Sequence, residues 1–167
     1  LVGSSSGAMA VLLQADLVGS LLSPITKYGV IEDAGWYRSS ADLDWGLDRG
    51  DWMDKMRVMY DVMELATNQA CEAAFAQAPW QCILPTNIFP FISSPTFVLE
   101  AAYDSGQILS ILLLDCSTYG QDLSECDAGD RADIDALGVA TSASITAALR
   151  STTHHVARSG AFVSACL

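Results

Sequence analysis

Positive charge is scarce in this sequence of 167 residues. Eight Lys and Arg stand against twenty Asp and Glu, which gives a formal net charge of −12. So acidic a chain is a poor partner for nucleic acid or for an anionic membrane surface, and a solvated acidic exterior explains the charge. No apolar run approaches the roughly 20 residues of a membrane-spanning helix, so no membrane span is expected. With 51% hydrophobic residues, the chain can bury one sizeable core.

Cysteine patterns that bind metals are also missing. None of the five cysteines forms a C-x-x-C pair, and the chain has only two histidines. A zinc site therefore fits poorly, and neither a metal nor a cofactor is expected. Two local disulfides, Cys71–Cys82 and Cys116–Cys126, fit better and imply an oxidising compartment; buried free thiols in a cytosolic protein are the alternative. Cys166 is left over, which suggests a missing partner.

The chain has no initiating Met and no signal peptide, and its first residues are interpreted as the inside of a domain. The G-S-S-S-G run at residues 3–7 matches the G-x-S-x-G pattern of a nucleophile elbow. In that device a strand ends in a sharp turn, the central serine projects from the tip, and a helix follows. Leu1 and Val2 would end a buried strand, and residues 8–18 are apolar and long enough for the helix. A flexible tail or a cloning scar is the alternative.

A nucleophile elbow requires particular residues at particular positions. Gly3 and Gly7 are expected where strand and helix backbones come too close for side chains. Ser5 would carry the exposed hydroxyl. The backbone N–H of Ser6 would point into the space above Ser5 Oγ as one donor of an oxyanion hole.

Strand and helix patterns alternate along the rest of the chain. Short β-type runs occur at residues 28–32, 96–103 and 160–166. Helical patterns lie between them, one beginning after Asp51 and one over residues 131–152. The run at 96–103 is mostly apolar on both faces, as in the middle of a parallel sheet. The alternation predicts an α/β protein with a mostly parallel sheet flanked by helices.

Candidate site residues follow two of the predicted strands. Just after the first come an acidic residue, a glycine and two aromatics, which would form a pocket rim or, alternatively, an ordinary turn with the aromatics packed on the core. They are Asp33, Gly35, Trp36 and Tyr37. Asp104 follows the strand at 96–103, at the end of the sheet where open α/β proteins place their active groups. Capping the next helix is the alternative role of Asp104.

Taken together, the residues resemble the pectin acetylesterase/Notum family of α/β-hydrolase carboxylesterases. The collinear order of the matching stretches is more specific than any single motif. They are G-S-S-S-G at 3–7, V-L-L-Q-A-D at 11–16, D-A-G-W-Y at 33–37, W-Q-C at 80–82, S-P-T-F-V at 94–98 and A-A-Y-D-S-G-Q at 101–107.

The resemblance implies acyl transfer at a serine. Ser5 would be the nucleophile and Asp104 the triad acid, in the chain order Ser then Asp that α/β-hydrolases use. Tyr103 and Trp36 are implied as pocket residues, although core packing explains both as well. Residues 1–167 would then be a single partial α/β-hydrolase domain, the C-terminal part of a larger one.

The chain departs from the family pattern at the histidine that acts as the catalytic base. The family's histidine follows the last cysteine by three positions, whereas Cys166 is followed only by Leu167. His154 and His155 do not match that arrangement and are interpreted as surface or helix-end residues. The strands and the Gly-rich segment that precede the elbow in the family, with the second oxyanion donor, are also absent, and Ala8 replaces a usual glycine.

Two functions from different classes follow. The first is a secreted carboxylesterase that removes an acyl group from an ester substrate on a polysaccharide or a lipidated protein, with other polypeptides completing the domain. The second is a catalytically inactive hydrolase-like module that serves as a structural or binding subunit of an assembly. A histidine within hydrogen-bond reach of Ser5 would distinguish the first from the second.

Overall fold

The fold is taken from a computed structural model that describes residues 1–38, 52–116, 123–151 and 159–165. Its strands and helices alternate as the sequence pattern predicts. The strands are β1 (Val2–Ser4), β2 (Val30–Asp33), β3 (Thr96–Ala101) and β4 (Gly160–Ser164). The helices are α1 (Ser6–Leu21), α2 (Trp52–Met63), α3 (Gln69–Ala74), α4 (Pro85–Ile88), α5 (Ser105–Ser110) and α6 (Ala128–Ser151). Short 3₁₀ helices cover Pro79–Ile83 and Phe89–Phe91.

Polar side chains set the starts of several helices. The Asn68 side chain accepts from the amides of Ala70 and Cys71 at the start of α3. Before α6, Asp127 Oδ1 accepts from the Asp130 amide at 2.8 Å. Each bond satisfies an amide that has no partner inside the helix, so the helix begins at a defined residue. Asp51, predicted to cap α2, lies outside the described residues.

The described strands form one parallel sheet in the order β1-β2-β3-β4. The predicted α/β class with a parallel sheet is therefore confirmed. Helices α1 and α6 pack on the face that carries Val30 and Val98. Pro85–Ile88 and Phe89–Phe91 close the same side of the core through Ile88 and Phe89.

The opposite face of the sheet is open to solvent in the part of the chain that is described. Val2, Ile31 and Phe97 lie in one row across β1, β2 and β3, and all three are exposed. Val2 is 65% exposed because it lies on this open face of the sheet, so within the described residues Leu1 and Val2 do not end a buried strand as expected. Parallel sheets are normally covered on both faces, which makes this apolar row unusual.

Two disulfides cross-link segments that connect the helices, as predicted. Cys71–Cys82 joins α3 to the 3₁₀ helix at Pro79–Ile83, and both residues are buried in the core. Cys116–Cys126 joins the chain after α5 to the chain before α6. Disulfides persist in oxidising compartments, so the pair indicates one. Cys166 lies outside the described residues.

Candidate active site

Ser5 occupies the turn between β1 and α1 in a strained backbone conformation. Its φ is 57° and its ψ is −127°, a combination that residues other than glycine rarely adopt. The Ser5 amide donates to the Asp33 carbonyl at 2.9 Å, which ties the turn to the end of β2. The Ser5 carbonyl accepts from the amide of Ala8 at 2.9 Å and begins α1. The neighbouring strand and the helix therefore hold the strain in place.

Only one of the two elbow glycines is required for close packing. A β-carbon on Gly3 would overlap the Gly7 carbonyl oxygen and lie 2.8 Å from Val11 Cγ1. A β-carbon on Gly7 would meet nothing within 4 Å, so the expectation that Gly7 also avoids a clash is wrong. The reason is that Gly7 faces outward from the first turn of α1.

A second close approach involves Gly35, which the sequence placed in the turn after β2. A β-carbon there would overlap the Ala8 methyl group and lie 2.8 Å from the Ser5 carbonyl oxygen. Ala8 is fully buried at this contact. The Ala8 methyl group thus packs against a glycine across the turn.

Ser6 is the first residue of α1, directly after Ser5. The first four amides of a helix have no carbonyl partner within it, and they carry the positive end of the helix dipole. The Ser6 amide is one of these four. That position is compatible with an oxyanion-hole donor, and the role stays a prediction.

Tyr37 is the hydrogen-bond partner of the Ser5 hydroxyl. The two oxygens lie 3.2 Å apart, and either can donate. Sequence reasoning noted Tyr37 only as one of two aromatics after a strand. The signal that could have found it is its place after β2, because the carboxyl ends of adjacent parallel strands meet at one edge of a sheet.

Asp104 caps α5 and lies at the same carboxyl end of the sheet as Ser5. Its Oδ1 accepts from the Gln107 amide at 2.8 Å, so the alternative capping role is observed. Burial raises the pKa of the carboxyl, and hydrogen bonds from the Gln107 and Gly106 amides oppose that rise. A β-carbon on Gly106 would lie 3.1 Å from Asp104 Oδ1 and 3.5 Å from the Tyr37 hydroxyl oxygen. The fold therefore brings Ser5, Tyr37 and Asp104 to one edge of the sheet.

The predicted pocket residues take part mainly in packing. Trp36 is 1% exposed, donates from Nε1 to Ser144 Oγ at 2.9 Å, and meets Phe89 edge to face. Tyr103 packs against α6, where a β-carbon on Gly138 would lie 2.6 Å from its ring. Asp33 contributes its carbonyl to the Ser5 turn.

Two buried glutamates behind the turn were missed by sequence reasoning. Glu32 of β2 and Glu100 of β3 each lie two positions after Val30 and Val98, so they share the face of the sheet that the helices cover. Burial raises the pKa of Glu32 to about 8, with a further rise from the Glu100 charge. Burial also raises the pKa of Glu100 to about 7, against a hydrogen bond from the Trp36 amide. Period-two alternation in both strands was the signal that could have placed them.

No base or metal site can be assigned within the described ranges. His154 and His155 lie outside them. Residues 1–38, 52–116, 123–151 and 159–165 contain no group of three or more His, Cys, Asp and Glu arranged to hold a metal ion. No helix in these ranges has the length and apolarity to cross a membrane.

Comparison with known proteins decides the family. A family model described as pectinacetylesterase matches residues 1–167. The chain belongs to the pectinacetylesterase family. Pectin acetylesterase 7 of Arabidopsis thaliana is 25% identical over 126 residues, which are 75% of this chain and 32% of that protein. The palmitoleoyl-protein carboxylesterase NOTUM of Drosophila melanogaster is 25% identical over 115 residues, 65% of this chain and 16% of that protein.

The fold of this pectinacetylesterase-family chain also has a solved counterpart. The crystal structure of the Wnt deacylase Notum from Drosophila matches it with a TM-score of 0.72 at 20% identity, over 98% of this chain and 43% of that chain. This likeness confirms the α/β-hydrolase fold. The chain spans about a third or less of the curated relatives named above.

Proposed function

We propose that these residues form part of a serine carboxylesterase that removes an acyl group through Ser5. The observation that carries the proposal is the strained Ser5 turn, held at the sheet edge where Asp104 also lies. Residues other than glycine adopt positive φ at a cost of about 1–3 kcal/mol, and such strain concentrates at functional turns. In a chain of this family, the nucleophile elbow is the function that explains it.

The reaction is acyl transfer in two halves. A base takes the Ser5 proton while Oγ bonds to the ester carbonyl carbon, and the carbonyl electrons move to oxygen. The Ser6 amide would donate to that oxyanion. Collapse of the tetrahedral intermediate expels the alcohol, which receives the proton from the base. Water then attacks the acyl-enzyme by the same route and releases the acid and the Ser5 hydroxyl.

Asp104 is the proposed triad acid that orients the base. We assign the base, and the second oxyanion donor, to polypeptide other than residues 1–167. These residues would then be the C-terminal part of a larger hydrolase domain. The open apolar row of Val2, Ile31 and Phe97 supports this assignment, because further elements of such a domain would cover it. The match to Notum covers 43% of the Notum chain, which also supports the assignment to a larger domain.

The proposed substrates follow from the relatives. Proteins similar to this chain are named pectin acetylesterase and palmitoleoyl-protein carboxylesterase. An ester on a polysaccharide or on a lipidated protein is accordingly the proposed substrate. The two disulfides support action outside the cell, after secretion.

A catalytically inactive module is the second candidate. The observation that favours it is the Ser5–Tyr37 contact, which places a phenol beside the serine hydroxyl within the described residues. Such a module would act as a structural or binding subunit through the open sheet face.

A serine-directed fluorophosphonate probe separates the two candidates. The complete protein that carries these residues is treated with the probe, and the modified residue is located by mass spectrometry. We expect labelling at Ser5, loss of labelling in Ser5→Ala, and full labelling in Ser4→Ala, which changes an exposed serine one position away. Full labelling in His154→Gln and His155→Gln would agree with a base from elsewhere. An unmodified Ser5 in the complete protein would overturn the esterase and leave the inactive module.

A further inference from the structure

The Tyr37 hydroxyl is held beside Ser5 by packing on several sides. The Tyr37 amide donates to the Gly35 carbonyl at 2.8 Å, which fixes the backbone just after β2. Its ring lies 5.2 Å from the Trp52 ring, tilted by 32°. The ring also packs against the buried cluster that contains Met9 of α1 and Met56 of α2. A phenylalanine would serve all of these ring contacts equally well.

The hydroxyl itself has a different set of neighbours. It lies 3.2 Å from Ser5 Oγ. It also faces the first turn of α5, where a β-carbon on Gly106 would lie 3.5 Å from the phenol oxygen. The ring is thus anchored in an apolar cluster, and its polar end is directed to the space between Ser5 and the Asp104 turn.

Resting on the proposed nucleophilic role of Ser5, we propose that Tyr37 is a catalytic residue that donates a hydrogen bond to Ser5 Oγ during acyl transfer. A serine hydroxyl has one proton and two acceptor lone pairs. When a base accepts that proton, Oγ can only accept from its other neighbours. The 3.2 Å contact then requires Tyr37 to be the donor.

The bond stabilises Oγ wherever it gains negative charge. During attack, the base removes the Ser5 proton while Oγ forms its bond to the acyl carbon, and Tyr37 donates to the oxygen throughout. During deacylation, the bond between Oγ and the acyl carbon breaks, the electron pair returns to Oγ, and the base returns the proton. Tyr37 keeps its own proton in both halves, so its role needs no additional reactant.

The expected size of the effect follows from hydrogen bonds to charged groups. Such bonds contribute about 1.5–3 kcal/mol, which corresponds to roughly a 10- to 100-fold change in rate. At 3.2 Å the contact is longer than the usual O–H···O distance of about 2.5–3.0 Å, so the lower figure is expected. The effect should fall on the rate of serine modification and not on the affinity for the reagent, because Tyr37 contacts the reacting oxygen.

The test compares Tyr37→Phe with Tyr28→Phe in the complete protein. Tyr28 donates its hydroxyl to the Ala15 carbonyl at 2.7 Å, away from Ser5, so this variant controls for loss of a phenol hydroxyl. The fluorophosphonate probe is applied over a range of concentrations, which yields the maximal rate of Ser5 modification and the apparent affinity separately. Hydrolysis of p-nitrophenyl acetate is measured in parallel.

We expect Tyr37→Phe to lower the maximal rate of modification and kcat about tenfold, with the apparent affinity unchanged and Tyr28→Phe at the wild-type rate. Equal rates in wild type and Tyr37→Phe would overturn the role of Tyr37 and leave the proposed esterase intact. Failure of the probe to label Ser5 in the wild type would overturn the proposed function, and the role of Tyr37 with it. Circular dichroism of each variant verifies that the comparison is between folded proteins.

Discussion

The backbone amide of Trp36 donates a 2.7 Å hydrogen bond to Oε2 of Glu100, in the buried layer between the sheet and its helices. The Ala101 amide donates to Oε1 of the same carboxyl at 3.0 Å. Glu32 lies in the same layer, but neither of its oxygens has a hydrogen bond of normal geometry to any described residue. The two carboxyls therefore differ in their hydrogen bonding, although the Gly35 amide also acts to lower the pKa of Glu32.

We expect Glu32→Gln to stabilise the protein at alkaline pH. The folded pKa of Glu32, about 8, lies above the ordinary value of 4.5, so the folded state holds the extra proton between these values. Stability contributed by the neutral form is complete below pH 4.5 and is lost as pH rises through 8. The full shift corresponds to about 3–5 kcal/mol.

Urea unfolding at pH 5 and pH 9 measures this effect. The wild type should lose stability at pH 9. Glu32→Gln should remove the part of that loss that Glu32 contributes and leave the part from Glu100, whose folded pKa is also raised, to about 7. Glu125→Gln, at an exposed carboxylate, provides the matched control. A pH profile of Glu32→Gln parallel to that of the wild type would contradict the assignment of Glu32 as a buried, neutral acid.

The elbow glycines should respond differently to alanine. Gly3→Ala places a methyl group into the Gly7 carbonyl, which is backbone and cannot move aside, so we expect a loss of about 3 kcal/mol or more in the free energy of unfolding. Gly7→Ala meets open space inside a helix and should be neutral or stabilising by up to about 1 kcal/mol. Thermal unfolding of both variants tests the pair. Similar losses at the two positions would show that the turn is packed differently.

Ser5→Gly should raise stability as it removes the nucleophile. Glycine adopts φ 57° and ψ −127° without a β-carbon clash, so relief of strain should contribute about 1 kcal/mol. Ser5→Ala keeps the β-carbon and should gain little. Calorimetric melting of both proteins measures the difference, and a less stable Ser5→Gly would contradict a strained turn.

The two disulfides should differ in their resistance to reductant. Cys71 and Cys82 are fully buried, whereas Cys116 is partly exposed, so a thiol reaches the Cys116–Cys126 bond first. Removing either bridge by paired Cys→Ala changes should cost about 2–4 kcal/mol. Mass spectrometry after timed reduction and alkylation reports the order. Earlier release of Cys71 and Cys82 would contradict the burial that the fold gives them.

Much of the fold could be predicted from local patterns in the sequence. The alternation of strand and helix signals predicted the α/β class, and the spacing of the cysteines favoured the two bridges that form. The run at residues 96–103 predicted β3, which ends two residues earlier than that pattern. Asp104 illustrates the limit, because its capping role and its place at the same end of the sheet as Ser5 were both foreseen, whereas the Tyr37 hydroxyl between them was not.

What the sequence by itself determined was the series of elements and the strained serine at their first junction, because turn residues, caps and periodicity act over a few neighbouring positions. Tertiary structure alone decided three further features. It placed the Tyr37 hydroxyl on Ser5 Oγ, it buried Glu32 and Glu100 in one layer, and it left the row through Val2 and Phe97 open. Each depends on which strands become neighbours and in what register, and that pairing joins residues distant in sequence.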